Sequence, residues 1–472
     1  VIFMARICKV LSASRHAQLS PRDDHHILAE LSEIARLALP IVLTQIGQVA
    51  MMVTDLAFIG RTGTDALAAA ALASRIYLLG FAFGLGLLAA IQPMAAQAFG
   101  ANNLSLVRRS VRMGFWEAAL LSLPITLLAL QGQSILLAIG QTPDTARLAQ
   151  EYLLGLAWGV PPALCFAVLR SFMGAVSRPE PVLWTTLAAA PINALLVYLL
   201  MYGKLGLPRL GLFGAGLATS LVNSGMLLAG VYLVTRRLPF RAYYVLANLW
   251  RFEWPLMQQL IVIGIPISIG AMMAYGASSL AALLAGRISA SALAAHQVAV
   301  QAAVVLFMLS YGIGTATCVR VANAVGRNDG PGIKQAGLVG MLLGMVVAAI
   351  LTFAIVAARF QIAPLFLGRS SGDADATTGL VAKLLLAGAT CYITEAVATI
   401  ATGALCGLKD TTVPPLLGCV AYWLVGISLG YVLSTSIGLG AVGIWIGLSI
   451  GASLYSALLA LRFWLLANRS AC

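Results

Sequence analysis

The chain repeats itself. Residues 60–69 (GRTGTDALAA) and 286–295 (GRISASALAA) align without a gap at an offset of about 226 residues, close to half the chain, and Pro40 and Pro266 keep that offset. Each copy lies between apolar runs of about 20 residues, enough for one helix to cross a bilayer. Backbone polar groups find no water in lipid, so a spanning chain is either a helix bundle or a closed barrel. These runs are long and continuous rather than short and alternating, which selects helices. About twelve are expected, centred near residues 47, 85, 124, 160, 192, 225, 270, 303, 346, 392, 424 and 452. A composition 60% hydrophobic and 10% charged cannot be hidden in an ordinary soluble core.

The echo continues along the chain. Leu210-Gly211-Leu212 with Gly216 returns as Ile437-Gly438-Leu439 with Gly443, residues 174–181 return loosely as 407–414, and Gln97-Ala98-Phe99-Gly100 resembles Asn323-Ala324-Val325-Gly326. Six helices per copy is an even number, so both copies enter the membrane from the same side. The expected fold is therefore an all-α integral membrane protein of twelve transmembrane helices, in two six-helix lobes related by a pseudo-two-fold along the membrane normal. Residues 1–33 read as a cytoplasmic tail and 34–235 as the first lobe. Residues 236–257 read as a basic, aromatic linker with an interfacial helix, and 258–472 as the second lobe with a short tail. Pro161 and Pro162 are expected to kink the fourth span and Pro191 the fifth.

A net charge of +13 invites a nucleic-acid reading, and its distribution argues against one. With the N-terminus inside, Arg108, Arg109, Arg112, Arg170, Arg178, Arg236, Arg237, Arg241, Arg251, Arg320, Arg327 and Lys334 fall on the inner side. The outer side keeps Arg61, Arg147, Lys204, Arg209, Arg287, Arg359, Arg369 and Lys383. That asymmetry places both termini in the cytoplasm and makes the basic charge a matter of topology. The seven cysteines are scattered without paired spacing, so neither a disulfide framework nor a metal site follows. An enzyme is not expected. The two G-x-S-x-G matches, at residues 426–430 and 447–451, sit in apolar runs, His296 is the one histidine within a span, and no phosphate-binding loop is present. No cofactor is called for, and an ion gradient or a separate ATPase must supply the energy.

Charged side chains inside spans point to function by default. Asp55 lies five residues before the turn at Gly60, roughly 7 Å deep at helical rise. Asn193 on the fifth span and Thr219 on the sixth fall at a similar depth. A carboxylate, an amide and a hydroxyl suit either a hard cation such as Na+ or a protonatable acid with hydrogen-bond support. The position matching Asp55 in the second copy is Ala281, so the scaffold does not require the carboxylate. Arg75, also in the outer half, leaves two arrangements open. Either it pairs with Asp55 and holds it ionised, or the cavity separates them. Glu395, midway along the tenth span, is too deep to reach the interface and reads as a proton-exchanging acid. Glu117 reads as structural, reaching the inner interface or pairing with Arg109 and Arg112.

Several segments together resemble the multidrug and toxic compound extrusion (MATE) family, in particular its NorM-like branch: residues 48–60 (QVAMMVTDLAFIG), 293–299 (LAAHQVA), 313–329 (IGTATCVRVANAVGRND), 169–179 (LRSFMGAVSRP) and 404–410 (ALCGLKD). The resemblance implies a V-shaped, twelve-helix exporter of organic cations and drugs, driven by exchange with H+ or Na+ across a bacterial inner membrane. It places Asp55 at the family's first-helix aspartate, Asn193 and Thr219 at polar positions of the same cation site, and Glu395 at a tenth-helix acid. Where the NorM-like branch carries a glutamate on the seventh span, this chain has Ala274. Tyr77, Met272, Met273, Tyr275, Gln297, Gln301 and Phe307 are candidates for the substrate cavity. A monomer in contact with membrane lipid is expected. The alternative is a flippase for lipid-linked precursors, which requires cavity arginines for a pyrophosphate headgroup.

Overall fold

A long apolar run meets its backbone hydrogen bonds internally only as a helix, and the chain takes that form along its length. The computed structural model describes residues 21–206, 208–362 and 374–469, with no strand among them. Cys8, His16, Arg369 and Cys472 lie outside the described residues. The spans are α1 (Pro21–Gly60), α2 (Thr64–Gly100), α3 (Leu104–Leu130), α4 (Pro143–Ala157 and Val160–Ala175), α5 (Glu180–Tyr202) and α6 (Gly211–Arg236) in the first half. The second half has α7 (Trp254–Ile288), α8 (Ala290–Gly326), α9 (Gly330–Ala357), α10 (Ala389–Gly407), α11 (Val413–Thr435) and α12 (Gly440–Arg469), with a shorter helix, Ala374–Ala387, leading into α10. Eleven are long and apolar enough to cross a membrane singly, and α4, bent by 48°, makes the twelfth.

Three local expectations change. The bend in α4 falls at Trp158 and Gly159, and Pro161 and Pro162 sit in the first turn of the second segment, where a missing N–H leaves no helix bond unmade. The described part of the stretch expected as a tail is already helical from Pro21. Within the linker the helical part is one short 3-10 turn, Phe240–Tyr243, whose rings pack edge-on against Phe172 of the first half. The Trp116 indole N–H donates to the Leu249 carbonyl and ties the linker's far end to α3 (2.8 Å).

The apolar cores show how the halves meet. One core is shared, joining Ile91, Met94, Leu169 and Phe172 of the first half to Ile313, Val321, Ile400 and Phe463 of the second. It lies toward the face where α1 starts and α12 ends, called here the terminal face. Toward the opposite, distal face the core divides. Ile59, Ala73, Tyr152 and Val197 pack within the first half, and Val298, Tyr392 and Trp445 within the second. Two bodies joined at one face and separate at the other leave a cleft between them. At the joint, α2 and α8 touch backbone to backbone. A Cβ on Gly100 would collide with the Asn323 carbonyl, and one on Gly326 with the Gln97 carbonyl.

Candidate functional site

Asp55 is 5% exposed in α1 of the first half. A buried carboxylate needs partners, and two helices supply them. From α5, Asn193 Nδ2 donates to Asp55 Oδ1 at 2.5 Å, and from α6, Thr219 Oγ1 donates to Asp55 Oδ2 at 3.1 Å. Pro191 lies two residues before Asn193 and lacks the N–H that would bond the Leu187 carbonyl, so the α5 ladder is interrupted beside the site. Asn193 is fully buried, and its Oδ1 has no partner. The three side chains are thus in contact, with one acceptor left over. Tyr152 of α4 lies near enough to interact electrostatically with Asp55. Sequence reasoning missed it, although a tyrosine buried within a span usually finds a partner for its hydroxyl.

Arg75 is not paired with Asp55. It is exposed, and its Nη1 donates to the Tyr275 hydroxyl of α7 at 2.5 Å, across the boundary between the halves.

In the second half, Cys391, Glu395, Thr399, Thr402 and Cys406 recur at helical spacing and present one face of α10 to a chamber of about 470 Å3 or its neighbour. Ala89 and Gln92 of α2 line the larger chamber as well, so it lies between the halves. Glu395 accepts a hydrogen bond from the Tyr422 hydroxyl. Tyr422 belongs to a π-helical stretch of α11, Cys419–Ile427, whose wider turn re-aims side chains that a regular helix would point elsewhere. Ala274 lines both chambers opposite Glu395 and contributes no charge.

Among the expected cavity residues, Met273, Tyr275 and Phe307 line the larger chamber, together with Tyr311 and Trp423. Met272 does not. Tyr77 stacks on Phe81 within the first half, ring centroids 5.3 Å apart. Gln297 and Gln301 line neither chamber. They are exposed one turn apart on α8, and Gln301 shares the face from which Gly312 meets Val42 of α1. That face is packed near the terminal side and open above it.

Glu117 corrects the sequence reading. It is 3% exposed and both carboxylate oxygens lack partners, because Arg109 and Arg112 pair instead with Glu253, just before α7. Those arginines hold the Glu253 carboxyl below its ordinary value, chiefly through the hydrogen bond from Arg109. A second ion pair crosses the halves at the same face, where Arg320 of α8 grips Glu30 of α1 at 2.5 and 2.8 Å. Gln97 Nε2 donates to the Gly407 carbonyl alongside them (2.9 Å).

Comparison with known proteins agrees with this architecture. The family model MatE matches residues 40–199 and again residues 266–432. A probable multidrug resistance protein NorM from Bradyrhizobium diazoefficiens is 52% identical over 445 residues, covering 94% of this chain and 95% of that protein. A protein of the same name from Rhodopseudomonas palustris is 46% identical over 445 residues, 94% of each. Among solved structures, the eukaryotic MATE transporter AtDTX14 superposes with a TM-score of 0.81 at 21% identity, over 94% of this chain and 98% of that one. An outward-facing multidrug resistance MATE family transporter of the MOP superfamily gives 0.83 at 18% identity, over 94% and 97%. At those identities the structures speak for the fold.

Proposed function

This chain belongs to the MatE family, and from that premise we propose that it is a cation-coupled antiporter of the bacterial inner membrane that exports organic cations and drugs. Both termini are cytoplasmic in this reading, so the terminal face is the inner one and the cleft opens outward. The protein works as a monomer in lipid with no resident cofactor.

The observation that carries the reading is the grip on Asp55 by Asn193 and Thr219, with Asn193 Oδ1 left unmet. An ionised Asp55 accepts from both donors. A protonated Asp55 instead has an O–H to give, and half a turn of the Asn193 amide brings the free Oδ1 to receive it. The site therefore has a hydrogen-bonded arrangement for each protonation state, which favours H+ as the coupling ion. Na+ is the second reading. It needs the same amide rotation, so that Asp55, Asn193 and Thr219 offer oxygens to a hard cation.

Transport follows by alternating access. Loading Asp55 from outside biases the halves toward closing the distal cleft and parting the terminal face, and cytoplasmic substrate then reverses the change. Glu395 acts as the acid of the second half. Tyr275, Phe307, Tyr311 and Trp423 give an organic cation aromatic faces, and Glu395 gives it a countercharge. The flippase alternative loses support here. Among the described residues lining the larger chamber no arginine is present and Glu395 is the carboxylate without a cationic partner, Asp410 being paired with Arg462, so a pyrophosphate headgroup finds no countercharge.

The test uses a drug-sensitive host that lacks efflux pumps. The intact protein should raise drug tolerance, and Asp55→Asn at normal expression should return it to host level, with Glu395→Gln reducing it. Unchanged tolerance with Asp55→Asn removes the coupling role. Vesicles energised by a pH gradient alone, or by a Na+ gradient alone, identify the ion.

A further inference from the structure

His296 is a buried titratable group of the second half that the exchange cycle above leaves unused. It lies on α8, is 2% exposed and lines a smaller chamber of about 280 Å3, adjoining the first. Neither of its ring nitrogens has a hydrogen-bond partner. A neutral imidazole carries one donor and one acceptor, and leaving each unmet in a dry place costs on the order of 1–3 kcal/mol. Packing alone does not account for the ring, since the neighbouring Trp445, 5.6 Å away between centroids, also has an unpartnered indole N–H. Three unmet polar atoms line a space with room for several waters at about 30 Å3 each.

The groups that share this chamber narrow what it does. α7 brings Ser278, α8 also brings Ser310, α10 brings Cys391, Tyr392 and Glu395, α11 brings Tyr422, and α12 brings Trp445. Tyr392 is already committed to the Ala299 carbonyl at 3.0 Å. Glu395 is the charged group among the described lining residues, and it faces the larger chamber too. A proton that reaches Glu395 from the cleft thus stands at the mouth of a space with an unengaged imidazole inside it.

We propose that His296 is a proton-holding site, paired with Glu395 through water in the smaller chamber. The proton leaves the Glu395 carboxyl, passes along the water and binds a ring nitrogen, giving a carboxylate and an imidazolium with no net change in charge. The second half then stores its proton on either of two groups, so Glu395 is free to meet a cationic substrate while the proton waits on His296. This rests on the reading that Glu395 exchanges protons with the cleft.

The test is 15N NMR of histidine-labelled, purified protein, with His296→Gln as the blank that identifies the signal among those of the other histidines. Between about pH 8 and 5 the His296 signal should change from neutral to doubly protonated, and Glu395→Gln should hold it neutral over that range. A signal that stays neutral in the intact protein, or that ignores Glu395→Gln, overturns the proposal. If the Gln variant folds poorly, His296→Phe keeps the ring without its nitrogens and serves as the blank. Proton-driven uptake of ethidium into vesicles adds a second readout. His296→Phe and His296→Gln should both flatten the pH profile, whereas a wild-type profile in the Phe variant marks a packing role. Failure of the broader reading has a different signature, namely ethidium uptake that survives Asp55→Asn unchanged.

Discussion

Arg75 donates a hydrogen bond to the Tyr275 hydroxyl at 2.5 Å, joining α2 of the first half to α7 of the second. Of the two arrangements open from the sequence, the guanidinium is engaged across the cleft, and Asp55 takes its bonds from Asn193 and Thr219. The bond lies in the distal part of both helices, where the shared core has already divided. It restrains the cleft and leaves the acid alone. Tyr275→Phe is expected to change the rate of ethidium uptake about fivefold, the effect of roughly 1 kcal/mol at an exposed site. Dependence on the ion gradient should be retained. Arg75→Ala should match it, and the double variant should add nothing to either single one. Additive effects in the vesicle assay would show that the two residues act separately.

Thr219 offers a finer test of the Asp55 site than removing the acid. Its hydroxyl donates to Asp55 Oδ2 and also lies 3.3 Å from the Ala215 carbonyl of its own helix. Thr219→Ser keeps the donor and should transport like the intact protein. Thr219→Val keeps the shape, removes the donor, and should shift the ion concentration for half-maximal uptake by about tenfold, equivalent to about 1.4 kcal/mol. Equal behaviour of Ser and Val would mean that the hydroxyl does not sense the state of Asp55.

The joint at the terminal face depends on the absence of side chains at Gly100 and Gly326, where a Cβ would strike backbone of the opposite half. Backbone cannot swing aside as a side chain can, so the halves must separate. Gly326→Ala is expected to weaken the closed joint by about 1–3 kcal/mol, the usual penalty of overpacking. Labelling of a cysteine placed at position 97 should become faster in that variant, and the thermal midpoint should fall. Unaltered labelling would show that the joint is not what closes this face.

Much of this was legible because it depends on counting along a chain. Twelve apolar runs and an offset repeat define twelve helices in two halves, and a rise of about 1.5 Å per residue puts Asp55, Asn193 and Thr219 at one depth. Depth on three helices of one bundle is close to contact. Rotation is harder to read, because in an all-apolar helix no polar face marks the inside. Met272 and Met273 differ by about 100° around the helix, and Met273 lines the chamber. Tyr422 reaches Glu395 from a π-helical stretch that no periodicity in the sequence announces. Along the helix the nearest partners for Glu117 are Arg109 and Arg112, yet these turn to Glu253, 141 to 144 residues away. Local spacing says nothing about such a partner.

Glu253 therefore carries its own prediction. It receives Arg109 and Arg112 from the first half at the start of α7, so protonating or removing it loosens the terminal face. Its carboxyl is held below the ordinary 4.5, first by the hydrogen bond from Arg109. A lowered carboxylate stabilises the folded arrangement above its ordinary value and loses that contribution only as pH falls through the lowered one. The latch is accordingly complete at neutral pH and begins to weaken only as pH falls below about 4.5. Any pH dependence of transport between about pH 5 and 8 must come from other groups. Glu253→Gln should speed labelling at the terminal face equally across that window and leave the shape of the pH profile unchanged. Because the Arg109 side chain is 45% exposed, the effect should shrink in about 1 M salt, where screening acts within about 3 Å. A displaced pH profile in Glu253→Gln would instead make this carboxylate one of the exchanging acids and the ion pair a part of the coupling itself.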